Sequence, residues 1–173
     1  ENVTKHNGIL NNEFLKHNQF QFLVSYGYRY IINEQILNRF NGNAINLHIS
    51  YLPWNKGADP NLWSFLDNTP KGITIHLMEK KLDEGALLCQ EKFFFDQHET
   101  LKSSYEKLST GIVELFKKNW DKIKNKQILE KKQNGKGSFH LSKDKEPFLH
   151  LLSKGWETKV KGIINKGKNF ENR

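Results

Sequence analysis

Alternating strand-like and helix-like segments, a long amphipathic run past the middle of the chain, and a good supply of large aromatic residues predict an α/β domain with a substantially parallel sheet. The 173 residues include 12 Phe, 5 Tyr and 4 Trp, enough bulk for one sizeable core despite an apolar fraction of 36%. A mean hydropathy of −0.72 marks a strongly polar surface around that core. The aromatic content argues for a folded domain and against a disordered chain.

The elements read in order. Phe20–Tyr28, FQFLVSYGY, is a short buried strand entering a turn at Gly27. NEQILNRF is a brief helix, with Asn33 as N-cap and Ile36, Leu37 and Phe40 on one face. Ala44–Ile49, AINLHI, is the next strand, and Pro60 opens a helix over NLWSFL, since proline is tolerated in a first turn. Gly72 introduces the strand ITIHLM. The polar turn KKLDEG then reaches Gly85, and ALLCQEKFFF supplies a further strand. Thr100 caps the longest helical pattern, with Leu101, Tyr105, Leu108, Ile112, Leu115 and Phe116 at three-to-four spacing. Beyond Asn125 the chain becomes charged and glycine-punctuated. Pro147 starts a small helix there, and Trp156, Val160, Ile163 and Ile164 serve as anchors.

Charge divides unevenly. Residues 1–100 carry 9 Lys+Arg against 11 Asp+Glu, whereas residues 101–173 carry 18 against 8. The basic half suits phosphates or nucleic acid, and it suits equally a solvated lysine-rich surface. One cysteine, Cys89, excludes an internal disulfide framework and a cysteine-rich zinc site, which favours a reduced, cytoplasmic protein. No apolar run approaches a membrane span, and no signal peptide is visible.

The chemistry lies in three polar residues. Side chains two apart on a strand share a face, so Asn46 and His48 point together while Ile45, Leu47 and Ile49 point away. Buried polar groups need hydrogen-bond partners. One reading is structural, with the pair stapling the loop that follows. The other sets them at the C-terminal end of a strand, facing the kind of crevice where α/β proteins bind substrates. Asp83, in the turn LDEG, adds a carboxylate, although Asp and Gly populate turns generally. Together the three types fit attack by an amine on a carbonyl or formyl carbon. Asn46 and His48 would supply donors to the developing oxyanion, and Asp83 would accept the amine's proton directly or through water. No serine or cysteine nucleophile is required. A zinc site built from His48, His76 and Asp83 is the competing arrangement. It lacks an HExxH motif or a close ligand cluster, and His76 shares a strand face with Thr74 and Met78 as a packed histidine. No metal is expected.

INLHISYLPWNKGADPNLWSFLD followed by KGITIHLMEKKLDEGALLCQE resembles the 10-formyltetrahydrofolate-dependent formyltransferase superfamily, which includes methionyl-tRNA, glycinamide ribonucleotide and nucleotide-sugar N-formyltransferases. The shared elements are Asn46/His48, Ser50–Leu52–Pro53 with Gly57, Gly72–Thr74–His76, and Asp83–Gly85, within a match running over residues 20–125. The resemblance implies a Rossmann-like formyltransferase core with a mostly parallel sheet. That core is N-terminally incomplete over residues 1–125 and is followed by a basic extension over 126–173. It implies 10-formyltetrahydrofolate as co-substrate, with Asn46, His48 and Asp83 as catalytic residues. Tyr26, Gly27, Tyr28, Leu82 and Glu84 would meet the folate, and Tyr51, Trp54 and Lys56 would meet the second substrate. The segment after the long helix is shorter than the β-barrel of methionyl-tRNA formyltransferases and resembles the end of the sugar N-formyltransferases. The expected acceptor is therefore a nucleotide-linked amino sugar, with tRNA the enzyme alternative and a catalytically silent nucleotide- or RNA-binding domain the other. Phe93–Phe95 and the long helix offer a seam for a homodimer.

Overall fold

The computed structural model describes residues 1–167. A short helix, α1 (Asn12–Lys16), leads to strand β1 (Leu23–Tyr26), helix α2 (Glu34–Arg39) and strand β2 (Ala44–His48). Strand β3 (Lys56–Gly57), helix α3 (Pro60–Leu66), strands β4 (Lys71–Leu77) and β5 (Leu87–Phe93), helix α4 (Leu101–Lys124) and strand β6 (Phe139–His140) follow. Turns of 3-10 helix cover Ser142–Leu152, with Pro147 inside them rather than at their start.

The local signals act as their chemistry dictates. Asn33 caps α2 through its side chain, which accepts from the Ile36 N–H at 3.0 Å. Thr100 and Ser103 cap α4 reciprocally: Thr100 Oγ1 accepts from Ser103 N–H, and Ser103 Oγ accepts from Thr100 N–H. The apolar stripe of α4 then buries Leu108, Ile112 and Ile123 against Ile45 and Leu47 of β2 and Ile73 and Ile75 of β4. On the other face of the sheet, Ala44 meets Ile36, Leu37 and Phe40 from α2 and Leu15 from α1.

The central sheet has the order β1-β2-β4-β5, and its directions differ from those expected. β1 runs parallel to β2, but β2–β4 and β4–β5 are both antiparallel, so the sheet is not mostly parallel. Two chain reversals cause this. The first follows α3: the chain re-enters the sheet beside the end of β2, where Asn55 Nδ2 donates to Thr69 Oγ1 at 2.8 Å, and runs back along it. The second reversal is the polar turn, closed where Leu77 N–H donates to the Ala86 carbonyl at 2.9 Å. The α/β core and the helical C-terminal extension are as expected.

A third apolar cluster fastens that extension to the core. Leu62, Trp63, Phe65 and Leu66 of α3 pack with Leu101 and with Phe148, Val160 and Ile163. The last residues of the expected extension, 168–173, lie outside the described residues. Ile75 is fully buried between the two antiparallel neighbours of β4. Replacing it with Ala should cost about 2–5 kcal/mol in denaturant unfolding, the range for deleting a packed aliphatic side chain. A loss below about 1 kcal/mol would mean that this core relaxes freely around the cavity.

Candidate active site

A polar face at the centre of the sheet is built by β2 and β4 together. Asn46 and His48 lie on the β2 face opposite Ile45 and Leu47, whose side chains join the α4 core. Antiparallel pairing sets His76 opposite Asn46 and Thr74 opposite His48. Asp83 is then brought back over this face by the β4–β5 connection. Gly85 makes the return feasible: a Cβ there would lie 1.9 Å from the Leu77 carbonyl oxygen, so only glycine lets the turn press against the end of β4. Asp83 itself adopts φ +55, a left-handed conformation that Asp tolerates better than most residues.

The carboxylate is buried, with 6% of Asp83 exposed, and it is well supplied with partners. Oδ1 accepts from Asn46 Nδ2 at 3.1 Å and faces His76 Nε2 at 3.3 Å. Oδ2 accepts from the Gly57 N–H at 2.9 Å and lies 3.8 Å from His48 Nδ1. His76 Nδ1 is 2.7 Å from the Leu77 carbonyl, which can only accept, so the ring carries a hydrogen on that nitrogen. The same logic places a hydrogen on His48 Nε2, 3.1 Å from the Asn55 carbonyl, and leaves Nδ1 as the nitrogen turned toward Asp83.

Electrostatics assign the resting charges. Burial penalises ionisation of Asp83, but His48, His76 and the Gly57 N–H outweigh it and hold the carboxyl well below the usual carboxylate range. Burial is also the largest influence on His48 and lowers its pKa, with Asp83 opposing. A neutral His48 lends Asp83 little charge. Asp83 stays ionised either way, since the Gly57 and Asn46 donors do not depend on the imidazole. His48 therefore rests neutral beside an anionic Asp83.

Both groups make acid the destabilising direction. In the unfolded chain His48 takes up a proton below its ordinary 6.5, whereas the fold resists it, so stability present above that value is lost as pH falls through it. Asp83 adds a further loss below its ordinary 3.8. Urea stability should drop between about pH 7.5 and about pH 5.5 and drop less in His48→Gln. Equal slopes for the two proteins would show that His48 is not held neutral by the fold.

The remaining candidates are placed unevenly around this cluster. Glu84 follows Asp83 and bonds Lys56 Nζ at 3.4 Å, so the buried Lys56 is tied to the carboxylate turn. Lys56 and Lys81 together hold the Glu84 carboxyl below its ordinary range. Leu82 is exposed on the same turn. Tyr26 and Gly27 end β1, and the Tyr28 hydroxyl is engaged elsewhere, accepting from Leu10 N–H and donating to the Gly8 carbonyl, both at 2.8 Å. Tyr51 is not brought to the Asp83 cluster: it packs on Gly72 at the start of β4, beneath Lys92 Nζ at 5.1 Å from its ring. Trp54 is exposed at the crest of the loop. Sequence reading misses Asn55, which holds His48, notes Gly57 as part of the loop motif but not its bond to Asp83, and treats His76 as a packed residue. Its place opposite Asn46 becomes visible only once β4 is known to be antiparallel. Among the described residues, no group of three or more His, Cys, Asp or Glu side chains could hold a metal ion, and no helix is long and apolar enough to cross a membrane.

A central sheet face that gathers an amide, a neutral imidazole and an ionised carboxylate suits direct transfer of a group between two bound substrates. The chain belongs to the Formyl transferase family, whose profile matches residues 6–118. Among solved structures it is similar to the formyltransferase PseJ from Anoxybacillus kamchatkensis, in complex with UDP-4,6-dideoxy-4-formamido-L-AltNAc and tetrahydrofolate. That likeness has 47% identity and a TM-score of 0.91, covering 95% of this chain and 87% of that one. Among curated proteins it is 32% identical over 114 residues to the methionyl-tRNA formyltransferase of Finegoldia magna, covering 65% of this chain and 37% of that protein. It is 28% identical over 108 residues to the dTDP-4-amino-4,6-dideoxyglucose formyltransferase of Mycobacterium tuberculosis H37Rv, covering 62% and 46%. The chain thus spans less than half the length of these curated relatives.

Proposed function

We propose that this chain transfers a formyl group from 10-formyltetrahydrofolate to the amine of a nucleotide-linked amino sugar. The observation that carries the reading is the buried, ionised Asp83, bonded to Asn46 and set beside His48 over the central strands. The neutral amine attacks the formyl carbon and its nitrogen gains a bond, while the formyl oxygen becomes an oxyanion. Asn46 Nδ2 offers that oxygen a hydrogen bond. Asp83 takes the amine's proton directly or through water. His48 Nδ1, unprotonated at rest, can receive this proton and become a donor to the oxyanion as it forms, with Asp83 stabilising the imidazolium. Collapse breaks the bond between the formyl carbon and N10 of the folate. The proton lost by the amine passes to that nitrogen, so a formamide and tetrahydrofolate result.

In this reading the folate meets the Asp83 turn, where exposed Leu82 offers an apolar edge. Tyr26, at the end of β1 opposite Leu47, and Gly27 after it belong to the folate side in the reading, and exposed Trp54 to the acceptor side. The sugar acceptor is supported by the extent of likeness to PseJ. In this reading residues 1–125 form the catalytic core and 126–173 an extension that completes it, in a cytoplasmic protein. A homodimer would use edge strand β5 and Phe94 just past its end, which is 91% exposed, and sedimentation would detect it.

The test offers the protein 10-formyltetrahydrofolate with UDP- or dTDP-linked 4-amino-4,6-dideoxysugars and, separately, with aminoacylated initiator tRNA. The expected result is a mass gain of about 28 Da on a nucleotide sugar and none on tRNA. Formylation of the tRNA would move the acceptor assignment. Salt-dependent RNA binding without folate affinity would replace the enzyme by a silent binding domain.

A further inference from the structure

Two side chains from beyond the family match reach the cluster from the C-terminal segment. Gln133 Nε2 donates to the Asp83 carbonyl at 2.8 Å and to the Gly85 carbonyl at 2.9 Å. Those carbonyls flank Glu84, so a single amide grips both ends of the turn that aims the Asp83 carboxylate.

Ser138 grips the other side. Its Oγ accepts from the Asn55 N–H at 2.8 Å and donates to Asn55 Oδ1 at 3.2 Å. Its own N–H donates to the Pro53 carbonyl at 3.2 Å, and its carbonyl accepts from the Lys56 N–H at 2.9 Å. Asn55 is fully buried with φ +55, a conformation that persists only where the surroundings over-determine it. The Asn55 carbonyl is the acceptor that fixes the hydrogen on His48 Nε2. Gly137 permits the approach, because a Cβ there would stand 2.0 Å from the Pro53 carbonyl oxygen.

Apolar burial does not explain this segment. Lys131, Lys132, Asn134, Gly135 and Lys136 are all exposed. The segment is instead strapped by backbone bonds at its two ends, Lys131 to Leu87 and β6 to β3, and between them its side-chain bonds go to the backbones that present Asp83 and His48.

We propose that Gln133 and Ser138 are positioning residues for formyl transfer, the first fixing the Asp83 turn and the second fixing the Nε2–H tautomer of His48 through Asn55. The kinetic part rests on the transfer reading above. The tautomer part does not, so the two can fail separately.

The experiment uses the full chain with Ser138→Ala, Ser138→Thr and Gln133→Met, each checked for folding by near-ultraviolet circular dichroism. Long-range proton–nitrogen correlation of the imidazoles reports the His48 tautomer without any ligand. Ser138→Ala should turn a predominantly Nε2–H signal into a mixture and lower kcat by about 10–100-fold, with KM for both substrates held within about twofold. Ser138→Thr, which keeps the hydroxyl, should restore the Nε2–H signal. Gln133→Met should lower kcat comparably while leaving that signal in place. Should Ser138→Ala not fold, Ser138→Cys carries the same comparison. An unaltered His48 signal in the folded Ser138 variant overturns the role of Ser138, and an unaltered kcat in Gln133→Met overturns that of Gln133.

Discussion

Asp83→Asn should slow formyl transfer by roughly 10²–10⁴-fold while leaving KM for the folate within about threefold. The substitution preserves shape and removes charge. Asn at this position cannot serve as a proton acceptor, and the imidazolium that forms at His48 would lose its anionic neighbour at 3.8 Å. It also breaks the donor pattern of the resting site. Oδ1 faces the Asn46 amide and Oδ2 faces the Gly57 N–H, so the new NH2 must confront a donor whichever way the amide is turned. One buried donor is then unpaired, at a cost of about 1–3 kcal/mol in stability. Steady-state kinetics and thermal unfolding on the same preparation separate the two effects. Retention of more than about a third of kcat would remove Asp83 from proton handling.

Gly57→Ala should damage the site through the backbone. Gly57 adopts φ +86, and a Cβ there would lie 2.3 Å from the His140 carbonyl and 3.2 Å from the Phe139 ring. Left-handed backbone costs a residue with a side chain about 1–2 kcal/mol before any clash, and the His140 backbone is held in β6 pairing and cannot swing aside as a flexible side chain could. The Gly57 N–H is the backbone donor to Asp83 Oδ2. Displacing it should lower kcat by about 10–100-fold, beyond what the loss of stability accounts for at a temperature where the variant is folded. Unfolding curves and kcat measured well below the transition check this. Normal kcat in a folded Gly57→Ala protein would show that the β3–β6 contact does not set the carboxylate.

Much of this site is legible in residues that act locally. The period of two along AINLHI is enough to put Asn46 and His48 on one face, because Ile45 and Leu47 need the core. Thr100 marks the start of α4, because a hydroxyl followed by Ser103 satisfies the free N–H groups there. The sequence LDEG signals a turn, and Gly85 is required where the chain touches Leu77. What escapes sequence reading is decided at long range. The direction of β4 is set by how the chain returns from α3, which no periodicity reports. Without that direction, His76 cannot be paired with Asn46 from sequence. The two-residue pairing of Lys56–Gly57 with Phe139–His140 leaves no hydrophobic pattern at all, and it joins parts of the chain far apart in sequence. Lys56 shows the same limit from the other side: the resemblance implies contact with a substrate, and the fold buries it against Glu84.

The central claim is geometric, so a ternary complex with an unreactive folate analogue and the nucleotide-linked amino sugar tests it most directly. The account predicts the acceptor nitrogen about 3–3.5 Å from the position of the formyl carbon, the formyl oxygen on Asn46 Nδ2, and Asp83 within direct or one-water reach of the amine. An acceptor amine seated on another part of the sheet, with Asp83 still sealed by Asn46 and Gly57, would contradict it.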